Sequence, residues 1–198
     1  MNKKQQTIDT YNLTADNMAE KFDNLGARVE DIDETFKLVP KENPSVLEIG
    51  CGNGRDAKEI VKRTNNYLGI DVALKFIEIA KENVPEGKFE VADIENYTFP
   101  KNLDIAFAFA SLIHVPKDSF EKVLRELYSA LNTGGVARLS MKYSEVYKEI
   151  EKEDEFGIRT YYLYSKEDIE RFAGNFNIIK NETNELRGQT WLEVLLQK

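Results

Sequence analysis

Between residues 45 and 141, short apolar runs alternate with longer segments in which apolar residues recur at helical spacing. Short apolar runs bounded by turn residues are typical of buried strands, and helical spacing is typical of helices with one buried face. We therefore predict strands at residues 45–49, 67–70, 88–91, 103–109 and 136–141, and helices at 56–63, 74–83 and 118–131. Strands and helices that alternate in this way form a parallel sheet with right-handed crossovers.

The two ends of the chain have different patterns. Residues 7–39 are amphipathic and predict two helices separated by a break at Gly26. The charged residues 143–156 predict a surface helix or loop, and the aromatic residues 158–164 predict a short extended stretch. Strands predicted at 176–181 and 190–197, with a turn at Arg187–Gly188, form an antiparallel hairpin that would extend one edge of the sheet.

Two helices have sequence signals at their first turns. Ser165 and Asp168 have the spacing of a capping box for a helix over residues 165–173. Asp118 and Glu121 have the same spacing at the start of the helix predicted over residues 118–131.

These elements predict an α/β fold with a Rossmann-like, doubly wound, mostly parallel sheet, a C-terminal antiparallel hairpin and an N-terminal helical extension. Since no linker rich in proline, glycine or serine interrupts the sequence, we expect a single domain over residues 1–198. It comprises an N-terminal helical cap at 1–40, a core at 45–141 and a C-terminal segment at 142–198.

Composition narrows the class of protein. The net charge of -8 and the absence of a long basic run argue against nucleic acid or an anionic membrane as the main partner. A single cysteine, Cys51, excludes an internal disulfide and favours a reducing compartment. With no membrane-length apolar stretch and no signal-peptide pattern, we expect a cytoplasmic protein. One histidine and one cysteine predict no metal site.

The first predicted strand of the core runs directly into three alternating glycines. Gly50, Gly52 and Gly54 follow Val46–Ile49, and a predicted helix begins just after them. Glycine lets backbone approach a ligand closely, and the free N–H groups of a helix start attract anions. We name residues 50–54 the glycine turn and expect a nucleotide-like cofactor to lie across it. Arg55 stands where a dinucleotide fold has its third glycine, and no phosphate-binding P-loop is present.

Five segments resemble, in order, the motifs of the class I S-adenosylmethionine-dependent methyltransferases. The glycine turn and its strand are similar to the first motif of that family, and Gly69–Asp71 to the acidic end of its second strand. The other three segments are Val91–Ile94, Leu103–Phe109 and Leu131–Gly135, the last with Thr133 where the family usually has proline. The resemblance covers residues 45–141, and the terminal hairpin extends it to residue 198.

The resemblance implies S-adenosylmethionine as the cofactor and suggests a role for three acids. Glu48 would lie close to the cofactor's amino group, Asp71 would accept hydrogen bonds from the ribose hydroxyls, and Asp93 from the adenine amino group. The alternative for Asp71 and Asp93 is that each only caps a loop. The full set of expected cofactor-binding residues is Tyr11, Glu48, Gly50, Cys51, Gly52, Asn53, Gly54, Arg55, Asp71, Val72, Asp93, Ile94, Phe109 and Ala110.

Candidate catalytic chemistry centres on His114, the only histidine. It follows the fourth strand, beside the place where the family holds the reactive methyl group, and its ordinary pKa suits a general base. The alternative is a histidine that only shapes its loop. Tyr11 would either close the site over the cofactor or anchor the first helix, and Arg55 would either neutralise a carboxylate or lie on the helix surface.

The resemblance also places the C-terminal segment on the substrate side. Acceptor contacts there are predicted for Lys142, Tyr143, Arg159 and Tyr161–Tyr162, with plain packing as the alternative. We expect methyl transfer to a small-molecule acceptor, without nucleic acid or membrane as partner. The alternatives are a methyltransferase acting on tRNA or protein, and a protein that binds S-adenosylmethionine without transferring its methyl group. The acceptor atom and the oligomeric state stay open.

Overall fold

A computed structural model describes residues 2–198 and contains a seven-stranded sheet. Its strands, in the order in which they lie side by side, are β3 (Lys88–Val91), β2 (Tyr67–Asp71), β1 (Val46–Ile49), β4 (Leu103–Phe109), β5 (Leu131–Lys142), β9 (Gln189–Gln197) and β8 (Asn177–Leu186). The pairs from β3 to β5 are parallel, whereas β9 pairs antiparallel with β5 and with β8. The predicted mostly parallel sheet with a C-terminal antiparallel hairpin is confirmed.

Helices cover both faces of this sheet. They are α1 (Lys3–Leu13), α2 (Ala15–Leu25), α3 (Val29–Leu38), α4 (Ala57–Ile60), α5 (Leu74–Asn83), α6 (Lys117–Ala130) and α7 (Lys166–Phe172). The apolar face of α6 packs with alternate residues of β1, β4 and β5 in one core cluster, and α3, α4 and α5 pack in the other. Because both faces are covered, all four residues of β1 and all seven of β4 are buried.

The strand order reverses between β1 and β4, since β2 lies on one side of β1 and β4 on the other. The connections that follow β1 and β4 therefore leave the sheet toward opposite faces, and a crevice opens at their carboxyl ends. Open α/β sheets bind their ligands at this point. The glycine turn follows β1 and His114 follows β4, so both are positioned at this crevice by topology alone.

The N-terminal extension consists of three helices rather than two. Besides the predicted break at Gly26, which has a φ of 74°, the chain breaks at Thr14 between α1 and α2. The third extension helix, α3, is fixed to β5 by Arg138, which is almost fully buried and pairs with two acids of that helix, Asp31 and Glu34.

The prediction of a surface helix or loop at 143–156 is wrong for residues 148–154. Residues Lys148–Asp154 form β6, which pairs antiparallel with β7 (Gly157–Leu163) in a separate two-stranded sheet. Six of the seven side chains of β6 are exposed, so this strand carries no apolar alternation that a sequence pattern could detect. Backbone pairing with the aromatic strand β7 holds it in place. The predicted extended stretch at 158–164 is β7.

The structure tests the predicted starts of two helices and one strand. The capping box of Ser165 and Asp168 is confirmed. The box predicted at Asp118 is wrong, because α6 begins at Lys117 after Pro116 and has no side-chain cap. Proline has a fixed φ and lacks an N–H, so it suits a helix start without a capping side chain. β5 begins at Leu131, earlier than predicted, because Leu131 already pairs with Leu103 of β4.

Candidate active site

A cavity of about 350 Å³ lies at the carboxyl ends of β1, β2 and β4. Helix α1 contributes Lys4, Thr7, Ile8 and Tyr11 to its wall, and β7 contributes Arg159 and Tyr161. Twelve of the fourteen predicted cofactor-binding residues line this cavity, namely Tyr11, Gly50, Cys51, Gly52, Asn53, Arg55, Asp71, Val72, Asp93, Ile94, Phe109 and Ala110. His114 lines it too, whereas Glu48 and Gly54 do not.

The three glycines of the glycine turn all have positive φ but have different surroundings. A Cβ on Gly50 would lie 2.2 Å from the Cβ of Ser111, and one on Gly54 would lie 3.3 Å from the Cα of Ala80. These two glycines therefore allow close packing against the loop after β4 and against α5. Gly52 has no atom within 4 Å of its Cβ position and lines the cavity, so its bare backbone is the part of the turn open to a ligand.

Asp71 ends β2 and joins it to the glycine turn. One carboxylate oxygen accepts the Gly52 N–H at 3.0 Å, and the other accepts the Ala73 N–H at 2.9 Å. Burial raises the pKa of this carboxyl, although these backbone N–H groups oppose the shift. A carboxylate oxygen can accept more than one hydrogen bond. Asp71 therefore shapes the turn and keeps acceptor capacity for a ligand in the cavity.

Asp93 lies on the far side of the crevice and binds two parts of the chain. Its Oδ1 accepts the Glu95 N–H at 3.1 Å, which caps the short 3-10 helix Ile94–Asn96. Its Oδ2 accepts from Lys4 Nζ at 2.6 Å, and the same ammonium lies 2.7 Å from Glu95. Asp93 thus caps the loop after β3, and it also fixes the start of α1 over the cavity.

Glu48 is buried beneath the glycine turn and outside the cavity wall. It lies on the face of β1 that carries Val46, opposite the face that carries Leu47 and Ile49. Its Oε2 accepts from the Tyr67 hydroxyl at 2.5 Å. Burial, with a further contribution from the charge of Asp56, raises the pKa of Glu48 to about 8. The carboxyl is therefore protonated at neutral pH.

Because of Glu48, the free energy of unfolding should decrease as the pH rises. An unfolded glutamate has a pKa of about 4.3, whereas the folded protein keeps this proton up to a pKa of about 8. Between these values folding takes up a proton, so the free energy of unfolding decreases as pH rises. Glu48→Gln cannot ionise and should remove this slope. Urea unfolding followed by circular dichroism at pH 5, 6.5 and 8 measures this slope.

The exposed Glu90 on β3 provides the control, Glu90→Gln, which should leave the slope unchanged. Parallel profiles for wild type and Glu48→Gln would contradict the prediction.

Two arginines line the cavity beside the glycine turn and share one acid. Arg28 donates to Asp56 through its backbone N–H at 2.9 Å and its guanidinium at 2.7 Å, and Arg55 donates at 2.6 Å. Asp56 is buried, and these two arginines outweigh its burial and lower the pKa of its carboxyl. The buried Nε of Arg55 has no hydrogen-bond partner among residues 2–198. Arg28 is not among the site residues predicted from the sequence. The only sequence feature near it is the predicted helix break at Gly26.

His114 has both ring nitrogens engaged. Its Nδ1 lies 2.6 Å from the Thr160 carbonyl oxygen, which can only accept, so Nδ1 carries the proton. Burial lowers the pKa of His114 to about 4, so the ring is neutral and its Nε2 is an acceptor. Tyr11, whose pKa is raised by burial, donates its hydroxyl proton to Nε2 at 2.7 Å. Tyr11 thus contacts His114 across the cavity wall and also packs on Phe76 of α5.

Lys142, Arg159 and Tyr161 line the end of the cavity near β5 and β7, together with Trp191, which the sequence did not single out. Trp191 lies in β9, directly opposite Lys142 in the antiparallel register. The two other aromatic candidates, Tyr143 and Tyr162, do not line the cavity. Tyr162 stacks on Tyr147 instead.

Two further observations concern residues 2–198 as a whole. No group of three or more histidine, cysteine, aspartate or glutamate side chains within this range is placed to hold a metal ion. None of the helices described here combines the length and the apolar character that a membrane span requires.

Comparison with known proteins extends these observations. A family described as "Methyltransferase domain" matches residues 46–135. Malonyl-[acyl-carrier protein] O-methyltransferase 1 from Ilyobacter polytropus is 30% identical over 150 residues, which cover 73% of this chain and 51% of the relative. Trans-aconitate 2-methyltransferase from Rhodopseudomonas palustris is 32% identical over 111 residues, which cover 54% of this chain and 43% of the relative. The chain thus spans about half or less of the length of these curated relatives.

The fold has close structural counterparts. The crystal structure of a TehB-like S-adenosylmethionine-dependent methyltransferase from Corynebacterium glutamicum superposes with a TM-score of 0.69 at 18% identity. The superposition covers 94% of this chain and 98% of the other. Residues 46–135 thus belong to the methyltransferase domain family, and the sequence similarity and the shared fold agree with a class I S-adenosylmethionine-dependent methyltransferase.

Proposed function

We propose that this protein transfers a methyl group from S-adenosylmethionine to a small-molecule acceptor. The observation that carries the proposal is the open backbone of Gly52 beside the Asp71 carboxylate, both in the wall of one cavity at the point where the strand order reverses. This arrangement suits a ligand with a ribose and a charged tail. The bound cofactor supplies a methyl group on a positively charged sulfur, a centre already activated for displacement.

The residues of the cavity fit the parts of this cofactor. Asp71 keeps acceptor capacity for the ribose hydroxyls, and the backbone of Gly52 allows the cofactor to lie close. Arg28 and Arg55 offer cationic donors for the methionine carboxylate, and the unbonded Nε of Arg55 is one such donor. We assign Asp93 and Ile94 to the adenine end. Glu48 and Gly54 act on the cofactor only through the shape of the glycine turn.

A small acceptor is supported by how the cavity is covered. Tyr11 of α1 and Tyr161 of β7 both approach His114, with ring centroids 5.3 Å and 4.8 Å away. Lys4 fixes α1 to Asp93, and Thr10 donates to the Ile158 carbonyl at 2.9 Å. These contacts place α1 and β7 over part of the cavity, which favours an acceptor small enough to enter beside them. Among the relatives, trans-aconitate 2-methyltransferase is named for a free small molecule, whereas malonyl-[acyl-carrier protein] O-methyltransferase is named for an acyl group on a carrier protein.

His114 as a general base stays a prediction. Its neutral ring has the acceptor nitrogen that a base requires, but that nitrogen accepts the proton of the Tyr11 hydroxyl in this conformation. A base role would require Tyr11 to move or to relay the proton.

Isothermal titration calorimetry with S-adenosylmethionine and S-adenosylhomocysteine tests the proposal. We expect each to bind one site per chain and NAD not to bind. Asp71→Asn should weaken both by about 10- to 100-fold, since a bond to a charged acceptor contributes about 1.5–3 kcal/mol. The exposed Asp9 on α1 provides a matched control, Asp9→Asn, with unchanged affinity. Failure of both sulfur compounds to bind the wild-type protein would refute the proposed function.

A further inference from the structure

We propose that the acceptor is a small organic acid, that its carboxylate is held by Lys142 and Arg159, and that a carboxylate oxygen receives the methyl group. This inference rests on the proposed function and specifies the substrate class of the same cavity. It is carried by the charges at the end of the cavity near β5 and β7 and by the hydrogen bonds of His114.

Lys142 is a cation without a counterion. Five cationic side chains line the cavity, namely Lys4, Arg28, Arg55, Lys142 and Arg159. Four of them pair with carboxylates of the chain. The Lys142 ammonium instead donates to the neutral amide oxygen of Gln189 at 2.7 Å, and no carboxylate among residues 2–198 forms an ion pair with it. Lys142 is only 8% exposed, and a buried charge without a partner is costly.

The surroundings of Lys142 add to the positive field. Arg159 and Lys152 both lower the pKa of Lys142, after burial as the main cause, and bring it to about 8. Arg159 pairs with Asp154 through one terminal nitrogen, but its buried Nε has no hydrogen-bond partner among the described residues. An anion between Lys142 and Arg159 would relieve this repulsion and satisfy a free donor. A cationic amine acceptor would be repelled.

The acidic residues of the cavity cannot fill this role, because they are engaged elsewhere. Asp56 bonds to Arg28 and Arg55, Asp71 to the glycine turn, and Asp93 and Glu95 to Lys4. The anion must therefore come from a ligand. The Lys142 ammonium also lies over the rings of Tyr161 and Trp191, at 4.9 Å and 5.2 Å from the centroids. These flat walls suit an acid with an apolar or planar carbon skeleton.

The state of His114 favours an acceptor that needs no base. Its Nδ1–H is held by the Thr160 carbonyl, and its Nε2 accepts from Tyr11. An alcohol or a protonated amine must lose a proton to react, whereas a carboxylate is already ionised at neutral pH.

The reaction balances without a proton transfer. One carboxylate oxygen donates an electron pair to the methyl carbon and forms the new C–O bond as the C–S bond breaks. The sulfur keeps that electron pair and becomes a neutral thioether. The negative charge of the acid and the positive charge of the sulfonium disappear together, and the products are a methyl ester and S-adenosylhomocysteine.

The test uses the full chain with methyl-tritiated S-adenosylmethionine and matched pairs of acids and primary amides, for example benzoate with benzamide, and succinate with succinamide. We expect label transfer to at least one acid and to none of the amides. The product should release labelled methanol in mild alkali, as methyl esters do. Binding of S-adenosylhomocysteine is measured in parallel by calorimetry, so that loss of the cofactor site is recognised separately.

Variants of Lys142 link the acid to the proposed contact. Lys142→Met should raise the KM for the acid at least 10-fold with the cofactor affinity unchanged, and Lys142→Arg should restore most of the loss. The exposed Lys148 on β6 provides the control, Lys148→Met, with wild-type kinetics. Circular dichroism checks that each variant is folded; if the Met variant is not, Lys142→Gln, which also removes the charge but can donate to Gln189, takes its place with the same expected rise in KM.

Three results would overturn the inference while the proposed function stands. The first is methylation of amines, alcohols or thiols but of no acid. The second is the binding of S-adenosylhomocysteine without either binding or methylation of any acid in the panel. The third is an acid KM that is the same in wild type, Lys142→Met and Lys142→Arg. If S-adenosylhomocysteine itself does not bind, the proposed function fails first.

Discussion

Replacing Gly52 by alanine is expected to weaken the binding of S-adenosylmethionine by on the order of 100-fold, about 2.7 kcal/mol. Gly52 is the glycine of the turn whose Cβ position meets no protein atom within 4 Å, and it lines the cavity. The added methyl group would therefore occupy the space that we assign to the cofactor. Its φ of 54° adds strain of about 1–2 kcal/mol for any residue with a Cβ. Calorimetry with S-adenosylhomocysteine measures the affinity.

Gly134 provides a matched control for this substitution. It has a φ of 81°, its Cβ position also meets no atom within 4 Å, and it lies outside the cavity wall. Gly134→Ala therefore carries the same kind of backbone strain without contact to the cofactor. We expect similar losses of unfolding free energy in urea for both variants, and a loss of affinity only in Gly52→Ala. Equal affinities of the two variants would show that the cofactor does not lie against Gly52.

The core of the fold was predictable because its signals are local. β1 and β4 are short apolar runs that are buried throughout, and α5 and α6 have regular helical spacing, so a few residues determine each of these elements. With right-handed crossovers, the reversal of strand order between β1 and β4 places helices on both faces of the sheet. Strand β6 was missed because its side chains face solvent and its partner strand, rather than its own pattern, holds it extended.

The candidate site was predictable where its residues belong to the family's motifs or to segments that the resemblance assigns to the site. The glycine turn and Asp71 lie close to each other and belong to contiguous βα units, so the sequence identifies both. Arg28 reaches the same cavity from the connection between α2 and α3, and Trp191 from the last strand. Their positions depend on how distant elements pack, and no local pattern reports that. Glu48 shows a related limit: it belongs to the motif, but the two-residue period of β1 turns it away from the cavity.

The second large effect is expected from Asp56→Asn. Asp56 is 4% exposed and is the shared acid of Arg28 and Arg55. The amide keeps the shape but removes the charge, which leaves two guanidinium groups close together with no paired carboxylate. Removing one partner of a buried ion pair costs about 3–5 kcal/mol. We expect a loss of about 3 kcal/mol in the free energy of unfolding, since both arginines keep some contact with solvent and part of the cost is screened.

A matched control and a second variant make this prediction specific. Asp33 pairs with Arg63 at the surface, so Asp33→Asn should cost less than about 1 kcal/mol. Glu48 provides the internal check. The charge of Asp56 helps to keep Glu48 protonated, and both arginines favour its ionised form. In Asp56→Asn the pKa of Glu48 should therefore fall, and the new carboxylate should partly replace the lost one.

This replacement is measurable as a coupling between the two sites. Asp56→Asn combined with Glu48→Gln should cost more than the sum of the two single variants, measured by urea unfolding at pH 7, because no acid is then left to face Arg28 and Arg55. In the double variant, the loss in the free energy of S-adenosylhomocysteine binding should also be smaller than the loss in the free energy of unfolding. The reason is that the methionine carboxylate that we assign to these arginines would itself supply the missing charge. Strict additivity of the two substitutions would mean that Glu48 does not respond to the charge of Asp56, and that the arginines depend on Asp56 alone.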